Sequence, residues 1–203
     1  MDDARLALEG PDVAVPSEAH SGSPAFPGWR WAAVALAFPV AGLLGGAAGG
    51  DVDALGAALI GGAVTGAGLG AAQWLAAKDL FGEWPIWVVA SAVGYGLGLA
   101  AGAALVGYET DLGSLAAMGA VSGVVLGAAQ GLALATQGRE RLALAWGLAM
   151  PVLLAAGWAV TTLGGIDVDK QFTVFGAFGA ITFTVLSGLL LARFMGDGRP
   201  TTN

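Results

Sequence analysis

Six long stretches of the chain contain no Asp, Glu, Lys, Arg or His. They consist mainly of Ala, Leu, Val and Gly, and the shortest has 20 residues, the length that spans the hydrocarbon core of a bilayer as a helix. A soluble protein can bury one such helix but has no interior for six in succession. The pattern therefore predicts an all-α integral membrane protein with transmembrane helices over residues 31–50, 54–77, 84–108, 112–138, 142–166 and 171–192.

The two ends of the chain differ from the apolar stretches. Residues 1–29 are acidic and rich in Pro, Ser and Gly, a composition that cannot bury a core. They also lack the basic start, short apolar segment and small-residue cleavage site of a secretory signal. We therefore expect a disordered acidic cytoplasmic tail over 1–29, a transmembrane domain over 30–195 and a short cytoplasmic tail over 196–203.

Charged residues in the connections predict the orientation of the helices. Basic residues are concentrated at alternate connections, and Lys and Arg mark cytoplasmic loops. Both termini are therefore predicted to be cytoplasmic, in the plasma (inner) membrane. The predicted cytoplasmic ends carry Arg30, Lys78, Arg139, Arg141, Arg193 and Arg199, whereas the opposite ends carry Lys170 and the acidic pairs Asp51 with Asp53, Glu109 with Asp111, and Asp167 with Asp169.

A glycine pattern in the second span recurs, without a gap, 57 residues later in the fourth. A third, degraded copy follows at the same offset in the sixth span. Each unit holds two spans, so successive units enter the membrane in the same direction and are parallel repeats. This predicts three tandem two-helix repeats of about 57 residues around a pseudo-threefold axis, either as a compact bundle or around a central cavity. The predicted helix-packing residues are Gly62, Gly66, Gly70, Gly119, Gly123, Gly127 and Gly176.

Polar side chains accompany this glycine stripe. At about 100° per residue, Gly62, Gly66, Gly70 and Gln73 share one helix face, with Thr65 beside them. Glycine at every fourth residue lets another helix approach closely, and a glutamine on that face can form a hydrogen bond across the contact. The polar residues are either part of the helix contact or the lining of a solute path, in which Gln73, Gln130 and Ser187 would form a polar ring near the cytoplasmic mouth. These candidates are Thr65, Gln73, Ser122, Gln130, Thr184 and Ser187.

Tryptophan and proline positions lead to two further expectations. Five tryptophans lie at or near the basic ends of the spans, where an interfacial belt of aromatic residues is typical of membrane proteins: Trp31, Trp74, Trp84, Trp87 and Trp146. Pro39 and Pro151 lie inside the first and fifth spans and are expected to kink them.

The end of the second span supports a family resemblance. It reads Gly66-x-x-x-Gly70-x-x-Gln73-Trp74-Leu75 and is followed by Lys78. This resembles repeated multi-pass bacterial membrane proteins of uncharacterised function, in which a helix ends on a glycine-spaced run, Gln-Trp-Leu and a basic residue. The run is also similar to glycine-zipper segments of pore and channel proteins. The resemblance covers about two helices of six and implies no activity.

Composition bears on the class of function. Charged residues make up 11% of the chain, there is no Cys, and the single His is His20 in the acidic tail. Because no span contains an ionisable Asp, Glu, His, Lys or Arg, we expect no enzyme, no catalytic residue, no metal site and no cofactor. The expected partners are the lipid bilayer and another copy or another membrane protein, not a nucleic acid.

Two functions are compatible with these features. The first is a structural or accessory membrane protein that acts through glycine-mediated helix packing, since packing is the most specific pattern in the chain. The alternative is a small channel or carrier for a neutral or cationic solute, which the repeat symmetry favours.

Overall fold

A computed structural model describes residues 26, 28–166 and 173–196, which form helices and short connections without a β-strand. The first span consists of α1 (Gly28–Ala33), a 3-10 turn (Val34–Leu36) and α2 (Ala37–Gly49). The later helices are α3 (Leu55–Phe81), α4 (Trp84–Leu105), α5 (Leu112–Ala135), α6 (Glu140–Leu163) and α7 (Ala177–Gly196).

Within the described residues, six helical stretches are long and apolar enough to cross a membrane, with Gly28–Gly49 counted as the first. The all-helical class and the presence of six membrane-length helices are therefore confirmed. Large apolar side chains cover the outer surface: Leu43, Leu75 and Leu148 are 76%, 66% and 69% exposed. An apolar exterior of this kind suits lipid rather than water, so the fold is compatible with a multi-pass membrane protein.

The two internal prolines have different local effects. Pro39 lacks the N–H that would bond to the carbonyl of Ala35, and its ring crowds that carbonyl. The 3-10 turn over Val34–Leu36 lies at this point, as expected of a kink-forming proline. Pro151 lies inside α6, which nevertheless continues from Glu140 to Leu163.

The sixth span begins later than the sequence pattern suggests. Residues 173–176 are not helical, and α7 starts only at Ala177. We call residues 173–176 the inserted segment because Thr173, Val174 and Phe175 are buried among the helices. Non-helical backbone is tolerated at membrane depth where protein surrounds it, and this location was not evident from an uninterrupted apolar run.

Several predictions lie outside the described residues. They are residues 1–25 and 27 of the N-terminal acidic tail with His20, the C-terminal tail from residue 197 with Arg199, and the connection 167–172 with Asp167, Asp169 and Lys170. The predicted end of the N-terminal tail at residue 29 is too late, because α1 already begins at Gly28.

The helices pack in chain order as a ring. Each of α2 to α6 contacts the next helix along the chain, and α7 returns to contact α1 and the 3-10 turn. The ring closes through Trp31, whose indole Nε1 donates hydrogen bonds to the carbonyl oxygen of Thr184 at 3.0 Å and to Ser187 Oγ at 3.2 Å. The first and last spans are therefore neighbours.

The start of α5 is set by a capping side chain. Asp111 Oδ1 accepts hydrogen bonds from the backbone N–H of Gly113 at 2.8 Å and of Ser114 at 3.2 Å. These contacts satisfy N–H groups that have no partner within the helix. The Ser114 hydroxyl also donates to the carboxylate, and this hydrogen bond, together with those from the backbone, lowers the pKa of Asp111.

Candidate functional site: the centre of the bundle

The first glycine stripe lies where α3 meets α4. A Cβ atom added to Gly62 would lie 3.0 Å from the Cα of Gly96. One added to Gly70 would lie 2.6 Å from Ser91 Cβ, and one added to Gly66 would overlap the Ser91 carbonyl oxygen. A side chain at Gly66 would therefore meet backbone atoms of α4, one at Gly70 would meet the Ser91 side chain, and one at Gly62 would fit only if the neighbouring helix shifted.

The second stripe makes an equivalent contact between α5 and α6. A Cβ on Gly119 would lie 2.8 Å from the Leu154 carbonyl oxygen, and one on Gly123 would lie 2.5 Å from that of Met150. A Cβ on Gly127 would likewise lie 2.6 Å from the Gly147 carbonyl oxygen.

The third predicted glycine lies in a different setting. Gly176 precedes α7 and belongs to the inserted segment, so it is not on a helix surface. A Cβ at this position would lie 2.8 Å from Ile166 Cδ1. The third copy of the glycine pattern therefore differs from the first two at its first glycine, because α7 begins only after Gly176.

Sequence reasoning missed a further glycine contact on α4. Added Cβ atoms at Gly94, Gly98 and Gly102 would lie 2.8, 2.7 and 2.6 Å from atoms of α5. These glycines have the same four-residue spacing as the recognised stripes, so their spacing was a usable signal.

Two of the predicted polar residues meet inside the bundle, with a third residue that sequence reasoning did not assign to them. Gln130 Nε2 donates to Ser91 Oγ at 2.8 Å and lies 3.4 Å from Gln73 Oε1. Ser91 Oγ in turn donates to the carbonyl oxygen of Trp87 at 2.8 Å. All three side chains are buried, and we call Gln73, Ser91 and Gln130 the carboxamide cluster. It joins α3, α4 and α5.

Trp146 extends this cluster to α6. Its Nε1 donates to Gln130 Oε1 at 2.7 Å. Gln130 thereby uses both ends of its carboxamide, one with an indole and one with a hydroxyl. A buried carboxamide with partners on both atoms holds its neighbours in one arrangement.

The other predicted polar residues lie apart from the carboxamide cluster. Ser187 accepts from Trp31 and donates to the carbonyl oxygen of Phe183 in its own helix at 2.6 Å. Ser122 Oγ donates to the Met118 carbonyl oxygen, one turn earlier, at 2.7 Å. Thr184 Oγ1 is buried and has no hydrogen-bond partner among the described residues. A single ring of Gln73, Gln130 and Ser187 is therefore not formed by direct hydrogen bonds.

Thr65 holds the inserted segment in place. Its hydroxyl donates to Thr173 Oγ1 at 2.8 Å and lies 3.2 Å from the carbonyl oxygen of Ala41. The Tyr95 hydroxyl donates to the Thr173 carbonyl oxygen at 2.8 Å, and Thr173 Oγ1 donates to the Gly42 carbonyl oxygen at 3.2 Å. Residues from α2, α3 and α4 thus supply polar partners for a non-helical peptide in the interior.

The prediction of an interfacial tryptophan belt is wrong for three of its five residues. Trp84 is 57% exposed, but Trp31, Trp87 and Trp146 are at most 2% exposed. These three rings and Phe81 form the tryptophan cluster. Their helix faces point toward the centre of the bundle, where burial of large rings and their mutual contacts stabilise the interior.

The tryptophan cluster closes one end of the interior. Phe81 stacks on Trp87 with ring centroids 4.0 Å apart, and Trp146 lies 6.2 Å from Trp31 and 6.0 Å from Trp87. Phe81 reaches this position because α3 departs from helical geometry at Ala77, with φ −144° and ψ 47°.

A second aromatic group fills the other half of the interior. Phe175 of the inserted segment stacks on Phe38 at 5.2 Å and lies 6.1 Å from Phe183 and 5.9 Å from Trp158. Between the two aromatic groups lies a cavity of about 20 Å³ whose lining includes Gln73, Gln130, Ser91 and Tyr95. That volume holds about one water molecule.

The chemistry of this centre is limited to neutral hydrogen bonding. The described residues that line the cavity include no Asp, Glu, His, Lys or Arg. The Ser91 hydroxyl already donates to a carbonyl oxygen, and no base lies beside it to activate it. Across the described residues, no three His, Cys, Asp or Glu side chains come together as a metal site.

Comparison with known proteins finds no match to the chain among family models, curated proteins or solved structures.

Proposed function

We propose that the chain is a structural or accessory protein of the plasma (inner) membrane: glycine-mediated helix packing holds its own bundle together, and the bundle associates with another copy or another membrane protein. The observation that carries this proposal is the filled centre of the bundle. Aromatic rings occupy both ends of the interior, and the cavity between them measures about 20 Å³. A conducting path needs a continuous lining of polar or dewettable surface, whereas this interior is packed.

The proposed architecture is three tandem two-helix repeats around a pseudo-threefold axis. It is supported by contacts that recur at the 57-residue offset. Gln130 accepts a hydrogen bond from Trp146, and Ser187, 57 residues later, accepts one from Trp31. The glycine stripes of α3 and α5 likewise pack against the helix that follows each of them.

The proposed orientation places both termini in the cytoplasm. It is supported by a contact between the end of α3, which carries Lys78, and the connection between α5 and α6, which carries Arg139. Arg139 Nη1, between α5 and α6, donates to the Leu80 carbonyl oxygen at 2.6 Å, close to the connection between α3 and α4. Lys78, Arg139 and Arg141 therefore lie at the same end of the bundle, as a cytoplasmic end requires.

The packing role predicts that the purified protein does not conduct solutes. In proteoliposomes, the fluxes of water, urea and potassium should equal those of protein-free liposomes, because packed aromatic rings occupy both ends of the interior that the described residues form. Stopped-flow light scattering and a potassium-sensitive dye measure these fluxes. The matched variant carries Gln73→Leu and Gln130→Leu together, and it should behave like the wild type. A wild-type flux that this variant abolishes would contradict the packing role.

The same role predicts a protein neighbour in the native membrane. A photo-crosslinking residue is placed singly at an exposed position of each span, and at least one position should give a covalent adduct with one defined protein, either a second copy or a partner. Mass spectrometry identifies the adduct, and a buried position such as Leu99 is the control. Lipid adducts alone at all six positions would contradict the proposal. The positions are Leu43, Leu75, Val93, Leu132, Leu148 and Leu189, all at least 50% exposed.

A second candidate function is a carrier for a small neutral solute. It is favoured by the position of Gln73, Ser91, Gln130 and Tyr95 around the central cavity. These side chains offer donors and acceptors without charge, as a neutral solute requires. The flux experiment separates this function from the packing role.

A further inference from the structure

Half of the Gln73 carboxamide has no hydrogen-bond partner among the described residues. The side chain is only 4% exposed, and its Oε1 accepts one long hydrogen bond from Gln130 Nε2, at 3.4 Å. Its Nε2 carries two N–H donors, and neither donates to another described residue. A buried donor without an acceptor destabilises a fold, so this nitrogen calls for a ligand that can accept a hydrogen bond.

The surroundings of Gln73 Nε2 leave space for such a ligand. Trp87 Nε1 is also a buried donor without a partner among the described residues, but protein atoms enclose it completely. Gln73 Nε2 is not enclosed in this way, so it retains surface that a water-sized sphere can touch. Gln73 lines the central cavity, and this cavity supplies the space.

The central cavity has the size and the lining of a site for one water molecule. It measures about 20 Å³, and a water molecule requires roughly 10–15 Å³. Four of the side chains that line it are polar, and each is at most 4% exposed: Gln73, Ser91, Tyr95 and Gln130. A buried water typically forms two to four hydrogen bonds, so this lining can satisfy one. A solute with several heavy atoms does not fit.

The neighbours of Gln73 also offer hydrogen-bond acceptors. Gln130 Oε1 accepts one hydrogen bond, from Trp146 Nε1. Ser91 Oγ donates to the Trp87 carbonyl oxygen and accepts from Gln130 Nε2. Each of these oxygen atoms can accept one further hydrogen bond. The cavity therefore suits a ligand that accepts from Gln73 and donates to its neighbours, as water does.

We propose that the central cavity binds one water molecule, which completes the hydrogen bonding of the carboxamide cluster. The water accepts a hydrogen bond from Gln73 Nε2 and donates to Ser91 Oγ and Gln130 Oε1. It thereby joins α3 to α4 and α5 more firmly than the 3.4 Å contact alone. The site does not depend on the packing role proposed above, because it lies inside the bundle and requires no particular neighbour outside it.

The experiment detects the water by X-ray hydroxyl-radical labelling of the full-length protein in detergent micelles. Radicals formed from a bound water oxidise the side chains that touch it, even where bulk water does not reach. Leu154 lines the cavity and is 3% exposed, whereas the adjacent Leu153 is 6% exposed and does not line it. Leu154 should nevertheless be oxidised severalfold faster than Leu153, as measured by tandem mass spectrometry. Equal rates would overturn the proposed site.

A variant tests the role of Gln73 in holding the water. Gln73→Leu removes the donor, so the rate at Leu154 should fall to that at Leu153. Ser122→Ala is the matched control, because the Ser122 hydroxyl is buried, bonds within its own helix and does not line the cavity. The control should keep the wild-type ratio of the two rates. Fast labelling of Leu154 that persists in Gln73→Leu would overturn the role of Gln73.

A second measurement needs only the wild type and is independent of how Gln73→Leu folds. A density map that shows ordered waters elsewhere in the protein should contain one in the central cavity, about 2.7–3.2 Å from Gln73 Nε2. A cavity without such density would overturn the proposal. Solute flux through proteoliposomes would contradict the packing role and leave this site unchanged, so the two proposals fail separately.

Discussion

Gly123→Leu is expected to separate α5 from α6 and to prevent the protein from eluting as a single stable species. A Cβ at Gly123 would lie 2.5 Å from both the Met150 carbonyl oxygen and the Pro151 Cα. Both are backbone atoms of a continuous helix, so they cannot move aside as a flexible side chain can. Even Gly123→Ala should lower the free energy of unfolding by about 1–3 kcal/mol, the usual cost of overpacking a dense interior.

The measurement is a melting curve in detergent, with size-exclusion chromatography of each variant. Gly56→Ala and Gly56→Leu are the matched controls because a Cβ at Gly56 meets no atom within 4 Å. Alanine also favours a helix over glycine by up to about 1 kcal/mol, so Gly56→Ala should be neutral or slightly stabilising. If Gly123→Leu and Gly56→Leu melted at the same temperature, the close α5–α6 contact would not contribute to stability.

The second large effect is expected at Gln130. Gln130→Leu should lower the free energy of unfolding by about 1–3 kcal/mol, because it leaves the buried Trp146 N–H without an acceptor. Gln73→Leu should cost less, since the only hydrogen bond of Gln73 among the described residues is the long one to Gln130, at 3.4 Å. Equal losses in the two variants would contradict this assignment.

A double-mutant cycle isolates the Gln130–Trp146 hydrogen bond. In a Trp146→Phe background the indole donor is gone, so Gln130→Leu should then cost less than in the wild type. Trp87→Phe is the control background, because Trp87 Nε1 is buried without a hydrogen-bond partner among the described residues. In the Trp87→Phe background, Gln130→Leu should lower the free energy of unfolding by as much as it does in the wild type. Melting curves in detergent give the change in the free energy of unfolding for each single and double variant.

The glycine stripes show how far sequence reasoning extended into the interior. Glycines at every fourth residue share one helix face, and in the structure Gly119, Gly123 and Gly127 lie against α6. The spacing did not identify α6 as the neighbouring helix, because a glycine face has no side chains that would favour one packing partner over another. The contact partner follows from the ring order of the helices, which no local pattern encodes.

The candidate polar residues are grouped differently in the structure, where Ser187 bonds to Trp31 rather than to Gln73 or Gln130. Gln73 and Gln130 were recognised on the seam, but Ser91 and Trp146, which bond to Gln130, come from two other helices. The tryptophans were misplaced for a related reason. A tryptophan near a helix end suits a membrane interface and a buried cluster equally well, and only the rotation of its helix decides between them.

The sequence by itself determined the helical class and the six membrane-length helices, because an uncharged apolar run of at least 20 residues has one low-energy form in a bilayer. The tertiary structure alone decided what fills the centre. Phe81 enters the tryptophan cluster because α3 bends at Ala77, and the inserted segment replaces helix because Thr65 and Tyr95 bond to Thr173. Each of these depends on partners that are distant in the chain, and their contact energies exist only once the helices have packed.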